Sequence, residues 1–153
     1  MNEKGEMGNS SDFFGYEFLR EEKATYRAGR IRNHTDLEVY RRAFNAAMQV
    51  FELSKAFPAE ERFSLTDQVR RSSRSVAANI AEAWRKRRYE KVFVNKLSDA
   101  EAEIAETQVW LQFAVSSEYV PPESVRELYQ EYNALLGTLV GMIRHSDTWI
   151  LDR

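Results

Sequence analysis

The strongest constraint on the fold is a heptad pattern of mainly apolar side chains within residues 93–114. Its seven members are separated by alternating steps of four and three residues, which places them on one face of a helix. These members are Phe93, Leu97, Ala100, Ile104, Thr107, Leu111 and Ala114. A helix over residues 89–117 would be about 43 Å long at 1.5 Å per residue. The rest of the chain must therefore supply partners for a long helix.

Three further segments share this three-and-four spacing of apolar residues: 36–56, 64–84 and 123–143. Pro58 follows the first segment, Ser64 is a candidate N-cap of the second, and Pro121 and Pro122 precede the last. The connections between the four segments are short, which favours antiparallel neighbours. No segment has the period of two that is typical of a strand. The fold is predicted to be all-α, an antiparallel up-down-up-down four-helix bundle.

Glycine is absent from residues 30–136, which excludes the glycine-rich phosphate loops of nucleotide-binding proteins from most of the chain. Four of the six glycines lie in the first 33 residues, together with a polar start and a short aromatic cluster. Residues 1–33 are predicted to form a flexible arm with at most one short helix. The bundle is predicted to occupy residues 34–153.

Several classes of active site are excluded by composition. The chain has no cysteine and only two histidines, which rules out thiol chemistry and makes a multi-histidine metal site or a catalytic triad improbable. Glu103 and Glu106 have the spacing of a di-metal bundle, but no Glu-x-x-His motif accompanies them. We therefore predict no catalytic residue, metal or cofactor. Without a signal sequence or a membrane-spanning segment, a cytoplasmic protein is expected.

The positive charge is concentrated in one stretch of the chain. The formal net charge is −2, yet residues 62–96 contain ten basic and three acidic residues. Most of these basic residues follow the outer face of the second helix, the next turn and the start of the third helix. This pattern predicts a phosphate-binding surface for RNA or DNA, with Trp84 and Tyr89 beside it as platforms for unpaired bases. The predicted surface contains Arg70, Arg71, Arg74, Arg85, Lys86, Arg87, Arg88 and Lys91.

A second interpretation of the same arginines stays open. Acidic rows on the third and fourth helices offer partners for them, either within one subunit or across an interface between subunits. The protein would then be an interaction scaffold whose basic face contacts its own copies or a partner protein.

One amide on the inner face of the second helix predicts a polar network. Asn79 lies between apolar neighbours, and a buried amide needs hydrogen-bond partners. Gln68, Glu82 and Glu106 are the candidate partners, and the network would fix the register of the helices.

Residues 36–145 contain motifs that resemble a bacterial four-helix-bundle family. Those motifs are Leu37-Glu38-Val39-Tyr40, Phe57-Pro58, Glu61-Arg62-Phe63-Ser64-Leu65, Gln68-Val69-Arg70-Arg71-Ser72, Ser75-Val76-Ala77-Ala78-Asn79-Ile80-Ala81-Glu82 and Glu106-Thr107-Gln108. The family is encoded in intervening sequences of large-subunit ribosomal RNA genes and is mislabelled as ribosomal. The chain departs from it at Ala83, where the family usually has a glycine that ends the helix.

The resemblance implies an assembly and a partner class. The family is similar to the accessory variability determinant proteins of diversity-generating retroelements, which are basic pentameric bundles that associate with reverse transcriptase and nucleic acid. By resemblance, a homopentamer is expected here, with no enzymatic activity. The broad apolar face of the first helix and the second row of the third helix would supply its interfaces.

Overall fold

The structure, a computed structural model, describes residues 31–151. Over that range the chain is helical and contains no strand, which confirms the all-α prediction. Three short 3-10 turns accompany the four helices, at His34–Asp36, Ala59–Glu61 and Ser146–Thr148. The helices are α1 (Glu38–Ser54), α2 (Leu65–Arg85), α3 (Glu90–Ser116) and α4 (Pro122–Arg144).

The ends of the helices follow from local chemistry. Pro122 opens α4, where its missing N–H leaves no donor unsatisfied. Ser64 precedes α2 as predicted, but its hydroxyl makes no capping hydrogen bond. The carboxylate of Glu61 takes that role, because its Oε2 accepts the backbone N–H of Leu65 at 3.0 Å. This bond, together with one from the Tyr119 hydroxyl, lowers the pKa of Glu61.

Each helix packs against two neighbours, in the order α1–α2–α3–α4 and back to α1. The α2–α3 contact is the most extensive of these. Because the connections are short, successive helices run antiparallel, and the arrangement is the predicted up-down-up-down bundle. The turn between α2 and α3 therefore lies at one end of the bundle, and the turn between α3 and α4 lies at the other.

The heptad face of α3 forms the centre of the core. All seven of its members are buried, which confirms the prediction. Trp149, near the end of the described chain, is also fully buried. It follows the 3-10 turn that packs on α3, and the backbone N–H of Leu151 donates to the carbonyl of Arg87 at 3.3 Å. The C-terminal segment therefore folds back against the end of the bundle that carries the α2–α3 turn.

The predicted arm falls largely outside the described residues, which begin at Ile31. Ile31 itself belongs to the core although the sequence analysis assigned it to the arm. The next two backbone N–H groups, those of Arg32 and Asn33, each donate to Asp36 Oδ2 at 2.9 Å. The bundle therefore includes the last three residues of the predicted arm.

Candidate nucleic-acid interface

The turn between α2 and α3 is tight and needs no glycine. Lys86 ends α2 with φ of −95° and ψ of 11°, and its N–H donates to the carbonyls of Glu82 and Ala83. The N–H of Tyr89 donates to the carbonyl of Lys86 at 3.0 Å, and α3 begins at the next residue. No residue of the turn has positive φ, so α2 ends without a glycine.

Four cations in this turn and at the adjoining helix ends project into solvent. All four are exposed, and none forms an ion pair with another of residues 31–151. We name this group the basic turn, and it consists of Arg85, Lys86, Arg88 and Lys91.

The two acidic residues that lie beside the basic turn in the sequence, Glu82 and Glu90, contact other groups. Glu90 Oε1 accepts the hydroxyl of Ser146 at 2.7 Å, in the C-terminal segment. Glu82 Oε2 lies 2.8 Å from Lys96 Nζ and raises the pKa of that ammonium. Neither carboxylate forms an ion pair with a cation of the basic turn within residues 31–151.

Arg87 behaves differently from its neighbours in the turn. Its Nε donates to the carbonyl of Trp84 at 2.7 Å, and its guanidinium lies over the Trp84 ring. Trp84 is only 3% exposed, so the prediction that it stacks on a base is wrong: its ring packs into the core. Tyr89 is 57% exposed and stays available for stacking.

Arg71 belongs to the contact between α2 and α3. Its guanidinium pairs with Glu106 and lies 3.5 Å from Glu103 Oε1. The hydrogen bond to Glu106 raises the pKa of Arg71. Glu106 also accepts the indole N–H of Trp110 at 3.3 Å. Arg71 thus joins two helices, whereas the sequence pattern placed it on the phosphate-binding surface.

Arg70 and Arg74 face α1 instead of α3. Both guanidinium groups lie over the ring of Phe51, with Cζ at 4.7 Å and 6.0 Å from its centroid. The eight predicted residues therefore differ in their contacts. They divide into the basic turn, Arg87 against Trp84, Arg71 against α3, and a pair beside Phe51.

The structure does not join the four residues of the predicted polar network. Asn79 is half-buried, and its amide donates to the carbonyl of Ser75 on the same helix at 2.9 Å. Glu82 pairs with Lys96, as described above. Gln68 and Glu106 meet only through Arg71, whose Nε lies 3.5 Å from Gln68 Oε1. Asn79 needs no partner on another helix because a local carbonyl satisfies it.

Two other polar contacts link the helices instead of the predicted network. Thr107 Oγ1 donates to Ser72 Oγ at 2.8 Å between α2 and α3, and both residues are fully buried. Gln108 Nε2 donates to Asn133 Oδ1 at 2.8 Å between α3 and α4. The signal for the first contact was present in the sequence, since Thr107 is the one hydroxyl residue within the heptad face and a buried hydroxyl needs a partner.

The opposite end of the bundle carries negative charge. Exposed carboxylates at Glu60, Glu118, Glu123 and Glu127 surround the connections there. The two ends of the bundle within residues 31–151 therefore differ in charge.

Two negative findings apply to residues 31–151. No helix in this range is both long and apolar enough to cross a membrane. The same range contains no group of three or more histidine or carboxylate side chains arranged to hold a metal ion.

Comparison with known proteins points to one family. The family model described as 23S rRNA-intervening sequence protein matches residues 35–141. A crystal structure from Bacteroides thetaiotaomicron VPI-5482, a protein of unknown function from the S23 ribosomal protein family, is similar with a TM-score of 0.63 and 28% identity. That similarity covers 69% of this chain and 98% of the other. No curated protein matches the chain significantly.

Proposed function

The chain belongs to the 23S rRNA-intervening sequence protein family, and from this premise we propose a non-enzymatic, self-assembling bundle that binds the phosphates of RNA or DNA. The observation that carries the proposal is the basic turn, four exposed cations without a carboxylate partner within residues 31–151. Binding would be electrostatic and largely independent of sequence, because contacts to phosphates carry no sequence information directly.

The charge distribution supports binding at this end. Lysine and arginine that neutralise phosphates release counterions, so affinity should fall steeply with salt. The carboxylates at the far end should orient the protein with its basic turn towards the nucleic acid.

Self-assembly is supported by exposed apolar side chains on two outer faces. Phe44 on α1 is 49% exposed, and Phe113 on α3 is 54% exposed. Met48 and Val109 lie beside them on the same two helices and are also exposed. Two different patches suit head-to-tail contacts that close into a ring. A homopentamer is the subunit count that the family resemblance implies, and the likeness to retroelement accessory proteins and the cytoplasmic location stay predictions.

Binding is tested by gel shift of labelled single-stranded and double-stranded RNA and DNA at 50 mM salt. We expect all four to shift, and weaker binding after Arg88→Gln. Arg126→Gln is the matched control, because Arg126 is an exposed arginine on α4 at the acidic end. No shift with any of the four nucleic acids would refute the nucleic-acid part of the proposal.

Assembly is tested by native mass spectrometry, which reports the subunit count and any co-purifying nucleic acid together. Phe113→Ser should lower the subunit count. Phe63→Ser is the control, because Phe63 is 86% exposed and lies in the α1–α2 connection instead of on the outer face of a helix. A monomeric wild-type protein would refute the assembly part.

The scaffold interpretation is the second candidate, and the pairing of Arg71 with two glutamates favours it. That contact shows that arginines of α2 find carboxylates on a helix face. If the basic turn does the same across subunits, replacing Arg85, Lys86 and Arg88 by serine should break the oligomer and leave no binding deficit. The nucleic-acid proposal predicts the reverse: an intact oligomer that binds more weakly.

A further inference from the structure

Three cations surround one phenylalanine ring on the face that α1 and α2 share. The distances to the centroid of Phe51 are 4.8 Å from Lys55 Nζ, 4.7 Å from Arg70 Cζ and 6.0 Å from Arg74 Cζ. Lys55 has an ion-pair partner, Glu52, at 3.0 Å. Neither arginine has one among the described residues. Two arginines one turn apart repel each other unless an anion joins them.

Arg70 is held in place before any ligand arrives. Its Nε donates to Ser54 Oγ at 2.7 Å, and Ser54 in turn donates to the carbonyl of Phe51 at 2.8 Å. This anchoring leaves the two terminal nitrogens of Arg70 without a hydrogen-bond partner within residues 31–151. Arg74, which is exposed, lies four residues further along α2. A guanidinium fixed in this way loses little side-chain entropy when it contacts a phosphate.

We propose that Arg70 and Arg74 beside Phe51 form a second phosphate-binding site, which contacts the same nucleic-acid strand that the basic turn binds. The inference rests on the proposed function and extends it. Guanidinium groups bind phosphate oxygens through paired N–H donors, and these contacts are stronger than those between neutral groups.

The two sites lie along one face of α2. Arg74 and Arg85 are eleven residues apart, which corresponds to about 16 Å along the axis and a rotation within about 20° of three full turns. Ala78, exposed between them, presents only a methyl group. Glu82, the acidic residue on this stretch of α2, is engaged by Lys96 of α3. At about 3.4 Å of helix axis per phosphate on each strand of a duplex, the distance corresponds to roughly five phosphates of one duplex strand, and to fewer on an extended single strand.

The test measures the binding of a fluorescent twenty-nucleotide single-stranded RNA by anisotropy over a range of salt concentrations. Arg74→Gln should weaken binding several-fold near 0.1 M salt. It should also reduce the slope of log K against log salt by about 0.7, the contribution of one phosphate contact on a single strand. Arg126→Gln should change neither quantity. Arg74 is the residue to replace because it is exposed, so its loss should leave the thermal unfolding of the bundle unchanged.

Each outcome has a distinct meaning. If the wild type binds and the basic-turn variants weaken binding, but Arg74→Gln matches Arg126→Gln, the second site is refuted and the proposed function stands. If the wild type does not bind, the proposed function itself fails. If Arg74→Gln changes the subunit count in native mass spectrometry, the arginine serves a contact between copies, and the second site is refuted as well.

Discussion

Two regions of α2 carry arginines of the same kind in opposite surroundings. In the first half of the helix, Arg71 lies against the acidic row of α3 and pairs with Glu103 and Glu106. At the end of the helix, Arg85 has no carboxylate partner among the described residues, and neither have the three other cations of the basic turn. The contrast shows that the density of positive charge along a sequence overestimates the cationic surface that a ligand can reach.

The difference arises from what the neighbouring helix presents. Beside Arg71, α3 offers two glutamates spaced by three residues, so both face α2. Beside the basic turn, α3 is only beginning, and its first residue, Glu90, is bonded to Ser146. Cations at the end of a bundle project past their neighbours, whereas cations on its sides meet the side chains of the adjacent helix.

The largest effect is expected from removing the charge of the basic turn. Replacing Arg85, Lys86, Arg88 and Lys91 by glutamine should weaken nucleic-acid binding on the order of 10²–10³-fold at 0.1 M salt, because four phosphate contacts are lost. The measurement is anisotropy with the twenty-nucleotide RNA. If the variant's affinity for RNA stayed within twofold of the wild-type value, the two regions of α2 would not differ in phosphate binding.

The core also contains a polar group without a partner, which can be compared with the unpaired cations of the basic turn. Tyr132 is fully buried, and its hydroxyl has no hydrogen-bond partner within the described part of the chain. Burial raises its pKa, so the hydroxyl stays neutral. Tyr132→Phe should therefore raise the free energy of unfolding by about 1 kcal/mol, since it removes an unsatisfied polar group. Denaturant unfolding measures the change.

Tyr129→Phe is the matched control for that substitution. The hydroxyl of Tyr129 accepts the Gln112 amide at 3.0 Å near the surface, so its loss should be neutral or slightly destabilising. If Tyr132→Phe destabilises the protein more than Tyr129→Phe does, the Tyr132 hydroxyl has a role that the described contacts do not account for.

A smaller effect is expected for the paired arginine. Arg71→Gln should lower the free energy of unfolding by about 0.5–1 kcal/mol, because the ion pairs it loses are partly exposed and screened by solvent. The affinity for RNA should not change. A loss of affinity similar to that of a single basic-turn substitution would mean that Arg71 exchanges its glutamates for phosphate.

The smallest effect concerns acid stability at the opposite end. The pKa of Glu61 is lowered by the Leu65 N–H and the Tyr119 hydroxyl, so Glu61 stabilises the fold above its unfolded pKa of about 4.5 and loses this contribution as pH falls. In Glu61→Gln, melting temperature should depend less on pH between 5 and 3. Glu60→Gln, at an exposed neighbour, should follow the wild type.

The fold was predictable from local spacing, and most of the site was not. The heptad face, the proline before α4 and the short connections are properties of neighbouring residues, so they identify four antiparallel helices. The partner of Arg71 depends on how α3 is rotated against α2, and a rotation of about 100°, the angle of one residue, decides whether Glu106 meets an arginine or solvent. The position of Trp84 depends on the packing of the helices as well, because the sequence alone fits its ring equally well in the core or beside the basic turn.

The polar network shows the same limit. Asn79 borders an apolar stripe, which predicts a partner on another helix, yet a carbonyl four residues earlier satisfies its amide. The contact between Ser72 and Thr107 joins residues 35 positions apart, and only the packed helices reveal it. Sequence identified which residues needed partners more reliably than it identified the partners.

The central claim, that the unpaired cations of the basic turn bind phosphate, is tested most directly by the salt dependence of RNA binding to the wild-type protein. At about 0.7 per contact, four turn cations predict a slope of log K against log salt near −3, and the two arginines beside Phe51 would bring it to about −4. Saturable binding with a slope in this range is the expected result. No binding at 50 mM salt, or binding that salt leaves unchanged, would contradict the account.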